Sequence, residues 1–137
     1  MIGLDLGSRR IGVAVCDAGR TVATPFRTVK RVGDRPVEHA ELADIVGETG
    51  AVLAVVGLPL GLDGGEGPAV RTVRSELRAL GRRLGIPVTT HDERLTTVSA
   101  DDALRAQGVR GRRRTEVVDQ VAAAVILQDW LDRTAGS

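Results

Sequence analysis

The stretch that most narrows the choice of fold is Ile2-Gly3-Leu4-Asp5-Leu6-Gly7-Ser8, at the start of the chain. Ile2, Leu4 and Leu6 alternate with Gly3, Asp5 and Gly7, which is the period of a β-strand. One face is therefore wholly apolar, and the other carries a single carboxylate between two residues without side chains. Glycine weakens a strand and is tolerated where another backbone or a ligand must come close. A lone carboxylate is costly to bury unless something pairs with it. Asp5 is then either a cap for the turn at Gly7-Ser8 or a group on an open floor to which a cation or a phosphate comes.

The pattern that follows predicts a hairpin. Residues 11–17 alternate large and small after a tight turn at 7–10, and residues 21–30 read as a third strand, with Pro25 marking an edge or a bulge. The period then changes. Asp34 is a good N-cap, Pro36 suits a first turn, and Val37, Leu42, Ile45 and Val46 give an apolar side through about Thr49. Residues 51–57 form a continuous apolar run, as in a parallel strand buried on both faces. Val70, Val73, Leu77, Leu80 and Leu84 predict a helix over 68–84. Residues 86–90 read as a fifth strand ending in His91-Asp92-Glu93-Arg94, and further helices are expected near 96–108 and 115–132. The order β-β-β-α-β-α-β-α-α predicts an α/β fold in residues 1–137, read as one domain. Its five-stranded mixed sheet has the order 3-2-1-4-5, with the first three strands antiparallel and helices on both faces.

In parallel α/β sheets ligands gather outside the carboxyl ends of strands, where Asp5 and the 91–94 segment both fall. The last helix adds Asp119. Nine of the eleven residues from Val117 to Leu127 are apolar, so this helix is buried and takes Asp119 inside with it. First-turn capping is the alternative role for Asp119, but a helix dipole returns only about 0.3–1 kcal/mol, little beside the cost of burial. If Asp5, Asp119 and either Asp92 or Glu93 converge, each pair 4 Å apart repels by about 4 kcal/mol at an effective dielectric of 20. Protonation or a divalent cation must relieve that. Oxygen ligands without cysteine select Mg²⁺ or Mn²⁺, and acids clamping such ions suit in-line attack on a phosphodiester.

Several classes are excluded. Cys16 is the only cysteine, so there is no disulfide framework and no cysteine zinc site, and a reducing cytoplasm is expected. No apolar run approaches membrane-spanning length, and no secretory leader pattern precedes the first strand. One Phe, one Trp and no Tyr argue against base-stacking platforms. The glycines between 61 and 67 lack the Gly-Lys-Ser/Thr of a phosphate loop, and Asp63 and Glu66 there read as shaping a loop that closes on substrate.

Formal net charge is +1 and the basic residues are nearly all arginine, the better bidentate partner of phosphate. Arg9 and Arg10 beside Asp5, Arg94, and the run Arg112-Arg113-Arg114 are the candidates for gripping a nucleic-acid backbone. Arg71, Arg74, Arg78 and Arg82 read as a solvated helix face and His39 as a surface residue, while His91 is placed to shuttle protons.

Gly3-Leu4-Asp5-Leu6-Gly7-Ser8-Arg9-Arg10-Ile11-Gly12-Val13-Ala14 resembles the opening motif of the YqgF family. Further matches are Val55-Val56-Gly57-Leu58-Pro59-Leu60, Asp63-Gly64 with Gly67-Pro68, His91-Asp92-Glu93-Arg94-Leu95-Thr96-Thr97, and Asp119-Gln120-Val121-Ala122-Ala123 with Ile126-Leu127-Gln128. They cover nearly the whole chain in order; one departure is Gly61, where members often carry Asn. The resemblance implies an RNase H-like fold and catalytic, metal-holding acids at Asp5, Glu93 and Asp119. It also implies a nuclease acting on pre-16S rRNA or on Holliday junctions. An ATPase of the actin superfamily and a non-catalytic ribosome-associated module are the rivals. RNA against branched DNA, and monomer against homodimer, stay open.

Overall fold

The computed structural model describes residues 1–59, 67–92 and 111–135, with side chains from 117 onward in the last of these segments. Five strands, β1 (Ile2–Leu6), β2 (Arg10–Cys16), β3 (Ala23–Lys30), β4 (Ala54–Leu58) and β5 (Val88–Asp92), form one sheet in the order β3-β2-β1-β4-β5. β1 and β3 run antiparallel to β2, and β4 and β5 run parallel to β1, as expected. Pro25 lies on the edge strand β3, beside a bulge in the pairing between Val13 and Ala14.

Helices α1 (Arg35–Thr49) and α2 (Pro68–Leu84) cover one face, and α3 (Gly111–Thr134) covers the other. The pleat of β1 sends Ile2 and Leu4 toward α1 and α2, into a core completed by Val56, Leu42, Ile45, Val70 and Leu80. Asp34 caps α1 by accepting from the Val37 N–H at 3.2 Å, and the α1 and α2 ends turn on Gly50 and Gly85, both left-handed. No helix among the described residues is long and apolar enough to cross a membrane.

Three expectations need correction. β4 and β5 begin later than the apolar runs do, because Ala51 and Leu53 pack as an approach to the sheet and Pro87 offers only its carbonyl, to the Ala54 N–H. His91 and Asp92 therefore belong to β5. α3 starts at Gly111, so Arg112, Arg113 and Arg114 occupy its first turns and not a preceding loop. The helix expected near 96–108 and the 61–66 loop lie outside the described residues.

The third correction is His39, which is buried at 2% exposure. Its Nε2 lies 2.7 Å from Glu76, a carboxylate that also takes two hydrogen bonds from Arg31 at 2.6 and 2.8 Å. Arg31 donates to Glu38 as well, and its Nε holds the Gly7 carbonyl at 3.0 Å. Burial by itself pushes Glu38 and Glu76 up. Hydrogen bonds from Arg31, with His39 on Glu76 and the Val32 and Asp34 amides on Glu38, more than reverse it and hold both below the usual range. Their contribution to stability is thus present above about pH 4.5 and lost as acid protonates them. Glu76→Ala leaves the Arg31 charge short of a buried partner and should cost about 3–5 kcal/mol in urea melts at pH 7; a cost under about 1 kcal/mol would show the network to be dispensable.

Candidate active site

The site grows from the face of β1 that the apolar residues leave free. Gly3 and Asp5 point toward α3, and so does Gly12, which stands opposite Asp5 on β2. A Cβ on Gly3 would lie 2.7 Å from the Ala123 carbonyl oxygen, and one on Gly12 only 1.8 Å from that of Asp119. The close approach that the glycines foreshadow is thus made by a helix backbone. The peptide of Asp119 rests on Gly12, which sets the residue against the central strand beside Asp5. On the other side of Asp5 the β1–β4 register, with Leu4 opposite Val56, brings up Gly57, and beyond Gly57 stands His91. Asp5 therefore sits in a trough floored by glycine on both neighbouring strands.

Burial, and then the negative charge of Asp119, raise the Asp5 carboxyl to about 6. Among the described residues nothing donates to or pairs with its side chain. The hydrogen bond across the turn runs from the Gly7 N–H to the Asp5 backbone oxygen, so turn-capping does not occupy the carboxylate. Asp119 is different: Arg10 Nε donates to its Oδ2 at 2.8 Å, with both groups partly buried. Sequence reading gave Arg10 to the substrate, whereas here its guanidinium is paired with the second acid. Arg9, next to it, is exposed.

His91 Nε2 lies 2.5 Å from Asp129 Oδ2 on α3, and Arg133 Nε donates to the same oxygen at 2.8 Å. Burial raises the Asp129 carboxyl, but these two bonds outweigh it and hold the group low. Since His91 faces α3, strand alternation turns Asp92 to the opposite side. Asp92 therefore lies on the face of the sheet away from Asp5. Glu93 and Arg94 lie outside the described residues, as do the side chains of Arg112, Arg113 and Arg114.

The described donors suit a hard cation: they are carboxylate oxygens, and those of Asp5 have no cationic partner among the described residues. Reading the sequence alone missed the buried Arg31–Glu76–His39 group. A signal existed, because Glu76 stands on the apolar stripe between Val73 and Leu80, a position where a solvated acid does not belong.

Comparison with known proteins follows the same lines. The family described as "RuvX: Holliday junction resolvase" matches residues 1–133. A protein of Roseobacter denitrificans named "Putative pre-16S rRNA nuclease" is 47% identical over 135 residues, covering 97% of this chain and 82% of that one. One of Anaeromyxobacter dehalogenans with the same name is 46% identical over 134 residues, covering 98% and 97%. Among solved structures, Thermus thermophilus RuvC in complex with Holliday junction substrate aligns with a TM-score of 0.63 at 17% identity, over 99% of this chain and 95% of that one. A second T. thermophilus RuvC structure aligns at 0.58. The shared architecture is the RNase H-like fold.

Proposed function

The chain belongs to the RuvX family, and from that premise we propose that residues 1–137 act as one metal-dependent nuclease domain. It hydrolyses phosphodiester bonds in structured nucleic acid, and its substrate is the 5′ end of the 16S rRNA precursor, processed in the cytoplasm. The observation that carries this is Asp5: a carboxyl on the central strand, without a cationic partner among the described residues, next to a second acid carried in by α3. Asp5, Asp119 and Glu93 would hold Mg²⁺ or Mn²⁺, which when bound supplies Lewis-acid polarisation of the scissile phosphate. The protein's own part is to prepare the acids. Gly12 and Gly3 let α3 close onto the sheet, which fixes Asp119; Arg10 orients the Asp119 carboxylate by its hydrogen bond; and Asp5 presents a carboxylate with no cationic partner among the described residues. His91, restrained by Asp129, walls the far side of the trough.

Arg9, Arg94, Arg112, Arg113 and Arg114 serve as contacts to the nucleic-acid backbone. Changing Arg112, Arg113 and Arg114 together to Gln should weaken binding across sequences. It should also flatten the salt dependence by about 0.7–0.9 log units for each arginine that neutralises a phosphate. An unchanged slope would return them to solvent.

The family's own description favours a second reading, resolution of Holliday junctions. A cleavage screen with Mg²⁺ or Mn²⁺ over an rRNA-precursor fragment, duplexes and four-way DNA separates the two. Cleavage of the junction alone would replace the rRNA reading, and no Asp5-dependent cleavage of any substrate would leave a binding module.

A further inference from the structure

Helix α2 carries the most one-sided charge of the described surface. Val70, Val73, Leu80 and Leu84 are buried inward, and every outward charge is an arginine: Arg71, Arg74, Arg78, Arg82 and Arg83. Its one acid, Glu76, is buried and taken up by Arg31 and His39. Among the described residues Arg71, Arg78, Arg82 and Arg83 make no hydrogen bond or ion pair. Neighbouring α1 exposes Glu41, Asp44 and Glu48, yet none of these bridges to α2, and Glu48 turns to Arg27 of β3. Apart from Arg35 at the first position of α1, the two signs are thus segregated by helix, whereas a helix face dressed only for solubility mixes them. Formal net charge is only +1, so the basic ridge is not the by-product of a basic chain.

Position gives the ridge meaning. Arg71, Arg74, Arg78 and Arg82 follow one another on a single helical row about 5–6 Å apart, rising about 16 Å in all. The row begins close to the site's edge of the sheet, since Ala69 and Thr72 share a cleft with Gly7 and Ser8, the turn that follows Asp5. It then runs away on the face opposite to α3 and Asp5. A straight duplex seated on Asp5 does not reach a helix on the far side of the sheet.

We propose that the α2 arginine row docks the phosphodiester backbone of a second duplex arm of the substrate. That arm departs from the cleaved one over the carboxyl edge of the sheet. The proposal rests on the nuclease reading and sharpens it: α2 is the element that holds a second arm, on the face of the sheet opposite the acids.

The test uses Arg71→Gln, Arg78→Gln and Arg82→Gln combined, three exposed residues away from the acids. Binding across a salt series is measured with a four-way DNA junction, a folded rRNA-precursor fragment and a single straight duplex, beside cleavage of each. The slope of log affinity against log salt should fall by about 2–3 on the branched probes, with binding and cleavage of the straight duplex left as in the parent. An unchanged slope on the branched probes overturns the proposal. So does an equal loss on all three, which would put the row on the cleaved arm. Binding of the parent to anionic phospholipid vesicles, with the slope unchanged, would assign the row to a membrane surface instead and equally overturn it. Failure of the parent to cleave any probe is a separate result, and it removes the nuclease reading.

Discussion

Asp5→Asn should abolish metal-dependent cleavage, by three orders of magnitude or more (about 4 kcal/mol of transition-state stabilisation), while leaving the metal-free protein at least as stable as the parent. The two effects share a cause. With its carboxyl raised from 3.8 to about 6, the folded parent holds the Asp5 proton more tightly than the unfolded chain does. The stability this gives is complete below the unfolded value and is lost as pH rises through 6. At pH 7.5 ionisation has cost about 3 kcal/mol relative to acid, and an amide in the same place avoids it. Burying the Asn amide without a partner returns about 1–3 kcal/mol. The variant should therefore match or exceed the parent by up to about 2 kcal/mol at pH 7.5 and lose that advantage near pH 4. It should also gain less than the parent from added Mg²⁺. Urea melts at the two pH values, with and without Mg²⁺, run beside a cleavage assay, decide the matter. A variant that is destabilised at pH 7.5 yet still cuts would remove Asp5 from the centre of the site.

A loss of stability together with a loss of activity is expected at Gly12. A methyl group there would stand 1.8 Å from the Asp119 carbonyl oxygen and 2.2 Å from its carbon, both backbone atoms of a packed helix. No rotamer relieves that clash, so α3 must move by more than 1 Å against the sheet or the strand must bend. Gly12→Ala should cost on the order of 3 kcal/mol or more, which lowers the melting temperature by roughly 10 °C in a chain of this size. Because α3 carries Asp119, the folded fraction should also lose cleavage. Gly47→Ala is the control: it lies in the last turn of α1 with nothing within 4 Å, and should gain up to about 0.5–1 kcal/mol from helix propensity. If Gly12→Ala melts like the parent, α3 does not lie against β2 as described.

What the sequence determined by itself was whatever repeats locally. Alternation in 2–6 marked the central strand and named Asp5. The apolar row of α2 appeared at its correct ends, Pro68 and Leu84. The greasy circumference of 117–127 declared a buried helix with Asp119 inside it. The sheet order followed because few chain paths connect such elements. Tertiary structure alone decided how the charges are paired. Arg10 meets Asp119 across 109 residues and Arg31 meets Glu76 across 45, and no periodicity reports which way two distant elements are rotated toward each other. The same rotation buried His39. Strand register, settled by where β5 actually begins, turned His91 toward α3 and Asp92 away from Asp5. Local pattern is a property of neighbours along the chain, whereas the protonation and pairing of the acids follow from neighbours in space, which exist only once the helices have closed on the sheet.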